Sequence, residues 1–85
     1  VEGTSLMKVY PNPSNGLFNI TLDLPSSEEV TVEVIDQTGR KVANVTEGQL
    51  QKGSFVVDMS GEAAGMYIVR MITNHNVYNQ KISIK

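Results

Sequence analysis

Hydrophobic and polar residues alternate along most of the chain, which is the period of a strand with one buried face. Phe18, Ile20, Leu22 and Leu24 are apolar, while the residues between them are polar. No eleven-residue window keeps a helical spacing, so the pattern predicts an all-β chain. The other apolar positions that alternate in this way are Val30, Val32, Val34, Phe55, Val57, Met59, Tyr67, Val69, Met71, Ile82 and Ile84.

Turn-forming residues divide this pattern into seven short strands. Asp36–Gln37–Thr38–Gly39 predicts a tight turn, and Thr73–Asn74–His75–Asn76 predicts a hairpin connection. Ser60 to Gly65 predicts a corner of small residues with one short helical turn. Short strands with regular turns favour a seven-stranded immunoglobulin-like antiparallel β-sandwich. The expected strands span residues 6–10, 17–24, 29–35, 40–46, 54–59, 66–72 and 77–84.

The sequence Gly65–Met66–Tyr67 lies at the head of the sixth expected strand. A tyrosine in this position fits a tyrosine corner, in which the phenol donates a hydrogen bond to an earlier backbone group. We therefore expect Tyr67 to be buried and tied to the corner that precedes it.

Length and charge limit the classes of function. The chain has 85 residues, so it holds one hydrophobic core and one domain. A net charge of −2, with the basic residues scattered, removes the electrostatic basis for nucleic-acid binding. No apolar run is long enough to cross a membrane, and cysteine is absent, so thiol chemistry is excluded.

Candidate chemistry is sparse. His75 is the single histidine, and its place between two asparagines predicts an exposed turn residue rather than an acid–base catalyst. The sequence has no nucleophile elbow, calcium loop or dinucleotide-binding glycine pattern, so we predict no catalytic residue, metal or cofactor. One alternative stays open: an accessory β-sandwich module that binds carbohydrate or another surface ligand through Tyr10, Tyr78 and the acidic loops.

Four motifs carry a more specific signal. Tyr10–Pro11–Asn12–Pro13–Ser14–Asn15–Gly16 is a rigid corner, because each proline fixes φ and restricts the residue before it. Val34 to Val42 contains Asp36, Gly39 and Arg40 as a strand–turn–strand unit. Asp58–Met59–Ser60 is followed by Gly65 to Arg70, and Lys81–Ile82–Ser83–Ile84–Lys85 closes the series. In this order the motifs resemble the type A C-terminal sorting domain of cargo of the type IX (Por) secretion system of Bacteroidetes.

The resemblance implies a non-catalytic export tag. Residues 6–85 would form the sorting domain, and residues 1–5 would be the remnant of a linker from an upstream cargo domain. The partners would be the type IX translocon and a sortase-like peptidase of the outer membrane, with no nucleic acid and no direct membrane insertion. The parent protein would pass through the periplasm, and its cargo would then be secreted or attached to the cell surface.

The resemblance also implies where recognition lies. Gly65 and Tyr67 would shape the corner of the last two strands, and Lys81, Ile82, Ile84 and Lys85 would form the terminal signal. The structural motif would consist of Pro11, Asn12, Pro13, Gly16, Asp36, Gly39 and Arg40. Two plainer interpretations stand beside this one: Gly65 and Tyr67 serve the fold alone, and the lysines protect a sheet edge. A charged edge could also present its backbone to one chosen partner by strand addition.

Overall fold

A computed structural model describes residues 6–85 as a single antiparallel sheet of five strands. None of the described residues forms a helix that could span a membrane. The remnant linker expected at residues 1–5 lies outside the described residues. The strands are β1 (Met7–Tyr10), β2 (Leu17–Ile35), β3 (Lys41–Asp58), β4 (Gly65–Ile72) and β5 (Val77–Ile84).

The all-β prediction is confirmed, but the seven-stranded immunoglobulin-like sandwich is not. The second and third expected strands are one strand, β2, and the fourth and fifth are one strand, β3. The break expected at Pro25 is a register shift between Asp23 and Glu28, where β2 bulges and continues. Gln51 of β3 donates side-chain hydrogen bonds to the carbonyls of Leu24 and Pro25, which ties the bulge to its partner strand.

Both long strands must bend sharply. A straight strand with the 19 residues of β2 would be about 63 Å long. The longest dimension of the molecule is 35 Å. The two halves of β2 therefore fold towards each other, and the apolar side chains of both halves belong to one core.

The bend produces two layers within the same sheet. In the first layer, β1 and the end of β3 flank residues 17–24 of β2. In the second layer, the beginning of β3 and strand β4 flank residues 28–35, and β5 pairs with β4. A parallel bridge between Ser14 and Ile84 joins the chain after β1 to the end of β5.

All but one of the alternating residues fill the space between the layers as predicted. Phe18, Ile20, Val32, Val69 and Ile82 are fully buried. Phe55, which the alternation also predicts as core, is only partly buried and packs against the rim of this core.

The predicted connections are mostly confirmed. The turn at residues 36–39 closes with a hydrogen bond from the Gly39 amide to the Asp36 carbonyl, at 3.0 Å. The hairpin at residues 73–76 closes with a bond from the Thr73 amide to the Asn76 carbonyl, at 2.8 Å. The short helical turn expected at residues 60–65 is a turn without a helix.

Candidate functional site

The two kinds of side chain in the terminal segment, residues 81–85, lie on opposite faces of β5. Ile82 and Ile84 point into the core and are 0% and 4% exposed. Lys81 and Lys85 are exposed, and Ser83 between them is partly exposed. The predicted terminal signal therefore divides into an apolar half that holds the strand in the fold and a polar half that faces solvent.

The corner formed by residues 11–16 contacts this terminal segment directly. The side-chain amide of Asn12 donates to the Lys81 carbonyl and accepts from the Ser83 amide, both at 3.1 Å. The Ser14 amide donates to the Ser83 carbonyl, and the Ser14 carbonyl accepts from the Lys85 amide, both at 2.8 Å. Asn12 and Ser14 thus form a clasp along the outer edge of β5, about 70 residues away in sequence.

The corner is itself held in shape by local contacts. The Ser14 side chain is buried, and its hydroxyl donates to the Leu17 carbonyl at 2.8 Å and accepts from the Gly16 amide at 3.0 Å. Gly16 has a φ of +117°, which side chains rarely adopt, and a Cβ there would lie 3.1 Å from the Cα of Ser60. The Gly16 carbonyl accepts from the Met59 amide at 2.6 Å, so the corner also contacts the chain that follows β3.

Gly65 and Tyr67 begin β4 beside the end of β5. Gly65 pairs with Ile84 and Tyr67 with Ile82. The Tyr67 hydroxyl donates to the Ala63 carbonyl at 2.5 Å. This confirms that the phenol bonds back to the segment at residues 60–65, which leads into β4. Because Tyr67 is only 6% exposed, a receptor cannot contact much of it in the folded domain.

The turn with Asp36, Gly39 and Arg40 is organised by one carboxylate. Asp36 Oδ1 accepts from the Thr38 hydroxyl at 2.6 Å and from the backbone amides of Thr38 and Arg40 at 2.9 and 3.0 Å. These bonds, from the Thr38 hydroxyl above all, hold the pKa of Asp36 below its ordinary value. Gly39 has a φ of +89°, and the exposed Arg40 approaches Asp36 Oδ2 to 3.3 Å.

This turn lies beside the beginning of β4, and the beginning of β4 pairs with the terminal segment of β5. Three of the four motifs therefore meet at one end of the sheet. A shallow groove of about 280 Å³ separates the turn from Gly65 and Tyr67. The fourth motif, the corner, reaches the same end through its bonds to the terminal segment. The groove is lined by Asp36, Gln37, Thr38, Ala64, Gly65, Met66 and Tyr67.

One partly buried ion pair of the second layer does not follow from the sequence pattern. Glu33 alternates as an outward polar residue, yet it is only 7% exposed. Arg70, its cross-strand partner on β4, donates to Glu33 Oε2 from Nε and Nη2 at 2.9 and 2.7 Å. Lys41 lies 3.8 Å from the other carboxylate oxygen. Opposite charges at paired strand positions are the only sequence signal for this contact, and they require the strand register to be known.

The residues proposed for other chemistries lie apart. Tyr10 is exposed on the outer face of the first layer, whereas Tyr78 packs against the core from β5, so the two form no common stacking surface. His75 is exposed in the hairpin turn, as predicted, and its Nδ1 lies 3.6 Å from Glu28 Oε1. Within residues 6–85, no three His, Asp or Glu side chains come together as a potential metal site.

Comparison with known families shows to which family the chain belongs. Residues 8–85, almost the whole chain, match the family described as secretion system C-terminal sorting domain. The chain belongs to this family. Membership confirms the resemblance drawn from the four motifs and makes the domain a sorting signal for type IX secretion. No curated protein matches the chain.

Domains of this family are generally non-catalytic and act through the type IX secretion machinery, which exports cargo towards the cell surface or the medium. Such a signal needs a stable fold and a surface that can be read. At the end of the sheet where the four motifs meet, Lys81 and Lys85 are exposed and Ile82 and Ile84 are buried.

Proposed function

We propose that this sorting domain carries an upstream cargo domain of the same chain from the periplasm across the outer membrane. The translocon recognises the folded domain, a sortase-like peptidase cuts on the N-terminal side of β1, and the cargo is released or attached to the cell surface. The observation that carries the proposal is the match to the sorting-domain family over residues 8–85.

The structure supports a particular recognition surface within this function. Of the proposed terminal signal, only Lys81 and Lys85 are exposed, while Ile82 and Ile84 are committed to the core. We therefore assign receptor contact to the two lysines and a supporting role to the two isoleucines. Gly65 and Tyr67 support the same surface from β4, with which β5 is paired.

Fusion of residues 1–85 to a periplasmic reporter tests the proposed function. In a host with an active type IX system, we expect the reporter to leave the periplasm, and in the same host without the translocon we expect it to stay. A reporter that stays in the periplasm of both hosts contradicts the proposal.

The mass of the exported reporter tests the processing step separately. Cleavage predicts a product that lacks the mass of the sorting domain, and surface attachment predicts that this product fractionates with the outer membrane. An exported reporter that keeps the whole domain would contradict removal by a peptidase while leaving the role in export intact.

A further inference from the structure

The side chain of Asn12 occupies the position of an added strand beside β5. A primary amide carries the same donor and acceptor groups as a peptide unit. Asn12 uses its donor on the Lys81 carbonyl and its acceptor on the Ser83 amide. These are backbone groups that a partner strand would need in order to pair with this edge.

Ser14 continues the same pairing with its own backbone. It bonds the Ser83 carbonyl and the Lys85 amide, so the clasp covers the outer edge from Lys81 to Lys85. On the inner edge, β4 pairs with β5 from Val77 to Ile84. A strand approaching residues 81–85 therefore cannot form a ladder with them unless the corner is displaced.

We infer that the clasp fixes the mode of recognition: the receptor reads the outward side chains of Lys81, Ser83 and Lys85 and does not add a strand to the terminal segment. This inference rests on the proposed function. Strand addition to residues 81–85 would require backbone groups that are already paired on both edges. Contact with Ile82 and Ile84 would require side chains that are buried. Asn12 and Ser14 are then positioning residues, which act by holding the side chains of β5 in one arrangement.

Amide hydrogen exchange measures the clasp without reference to secretion. Asn12→Ala removes the acceptor of the Ser83 amide, and we expect that amide to exchange about fivefold faster. The amides of Ile82 and Ile84 face β4, because successive residues of a strand point to opposite edges, and they should be unchanged. Asn15→Ala is the matched control, because Asn15 is an exposed residue of the same corner.

A second variant keeps the test valid if Asn12→Ala does not fold. Asn12→Asp retains an oxygen that can accept from the Ser83 amide, but it loses the donor to the Lys81 carbonyl. We expect Ser83 to exchange faster in this variant as well, because one carboxylate oxygen would face the Lys81 carbonyl, and two acceptors at the 3.1 Å of the native bond repel each other. Unchanged Ser83 exchange in whichever of the two variants folds would overturn the clasp.

The same variants in the reporter fusion test the mode of recognition. We expect Asn12→Ala to lower the exported fraction several-fold and Asn15→Ala to leave it unchanged. Faster Ser83 exchange with unchanged export would overturn the inference, because recognition would then not need the clasp. Increased export would overturn it as well, because the receptor would then favour the open edge. If the unaltered domain is not exported, the proposed function fails, and so does the role of the clasp in receptor recognition. The exchange rates still decide whether the clasp itself exists.

Discussion

Replacing Tyr67 with phenylalanine separates a role in the fold from a role in receptor contact. The change removes only the hydroxyl that donates to the Ala63 carbonyl at 2.5 Å, and the buried ring remains. Such a bond contributes ~1 kcal/mol net, and an acceptor left buried without a partner costs up to ~3 kcal/mol. Ala63 is exposed, so water can replace the phenol at its carbonyl and the lower value applies. A loss of ~1 kcal/mol lowers the Tm of a domain of this size by roughly 4–8 °C.

Thermal unfolding followed by circular dichroism gives the Tm of each variant, and the reporter fusion gives its export. Tyr10→Phe is the matched control, because Tyr10 is 46% exposed, and we expect it to change stability by less than ~0.5 kcal/mol. Tyr67→Phe should lose stability and keep its export at temperatures where it remains folded. An unchanged Tm would refute the stabilising bond, and lost export from a folded variant would show that the hydroxyl contacts the receptor.

Two further predictions concern the corner and the acid stability of the domain. Gly16→Ala should lower the free energy of unfolding in urea by ~1–3 kcal/mol, because Gly16 has a positive φ and a Cβ would meet the Ser60 backbone. Gly61→Ala, with open space around its Cβ, should change it by less than ~0.5 kcal/mol, and equal losses in both would contradict the account. Hydrogen bonds, led by those from the Thr38 and Ser60 hydroxyls, lower the pKa values of Asp36 and Asp58 in the folded domain. The two carboxylates therefore stabilise the fold above the unfolded pKa near ~4, and this stabilisation is lost as the pH falls through their folded pKa values. The urea midpoint should fall below about pH 4, and a pH profile unchanged by Asp36→Asn would contradict this cause.

Period-two alternation predicts nearly all the residues that fill the core, because successive side chains along a strand point to opposite faces, which is a local property of the backbone. It could not distinguish a strand that ends from a strand that bends. The sequence pattern predicts that a strand ends at Pro25, whereas β2 passes through this position with a register shift between Asp23 and Glu28.

The local turns were predictable for the same reason. Asp36 and Gly39 define their turn with bonds between residues two to four positions apart, and Tyr67 reaches only four residues back. The clasp was not predictable in this way. The sequence places Asn12 in a rigid corner, but its partners Lys81 and Ser83 are set by the closure of the sheet and not by any local pattern.

The proposed site residues were similarly divided by the fold. The motifs of the sorting family located the terminal segment, but burial decides which of its side chains a receptor can reach. Ile82 and Ile84 belong to the core, and Lys81 and Lys85 remain accessible. Deleting the whole segment would therefore remove core and signal together, whereas substituting the lysines alone leaves the core intact.

The exported fraction of a reporter fused to the Lys81→Ala/Lys85→Ala domain tests the central claim most directly. The matched control is Lys8→Ala/Lys52→Ala, which removes the same charge from two exposed positions in the first layer. With both variants folded to the same Tm, we predict that export falls sharply for the terminal pair and is unchanged for the control pair. Equal export from the two variants would contradict the claim that the outward face of the terminal segment is the part of the domain that the type IX machinery reads.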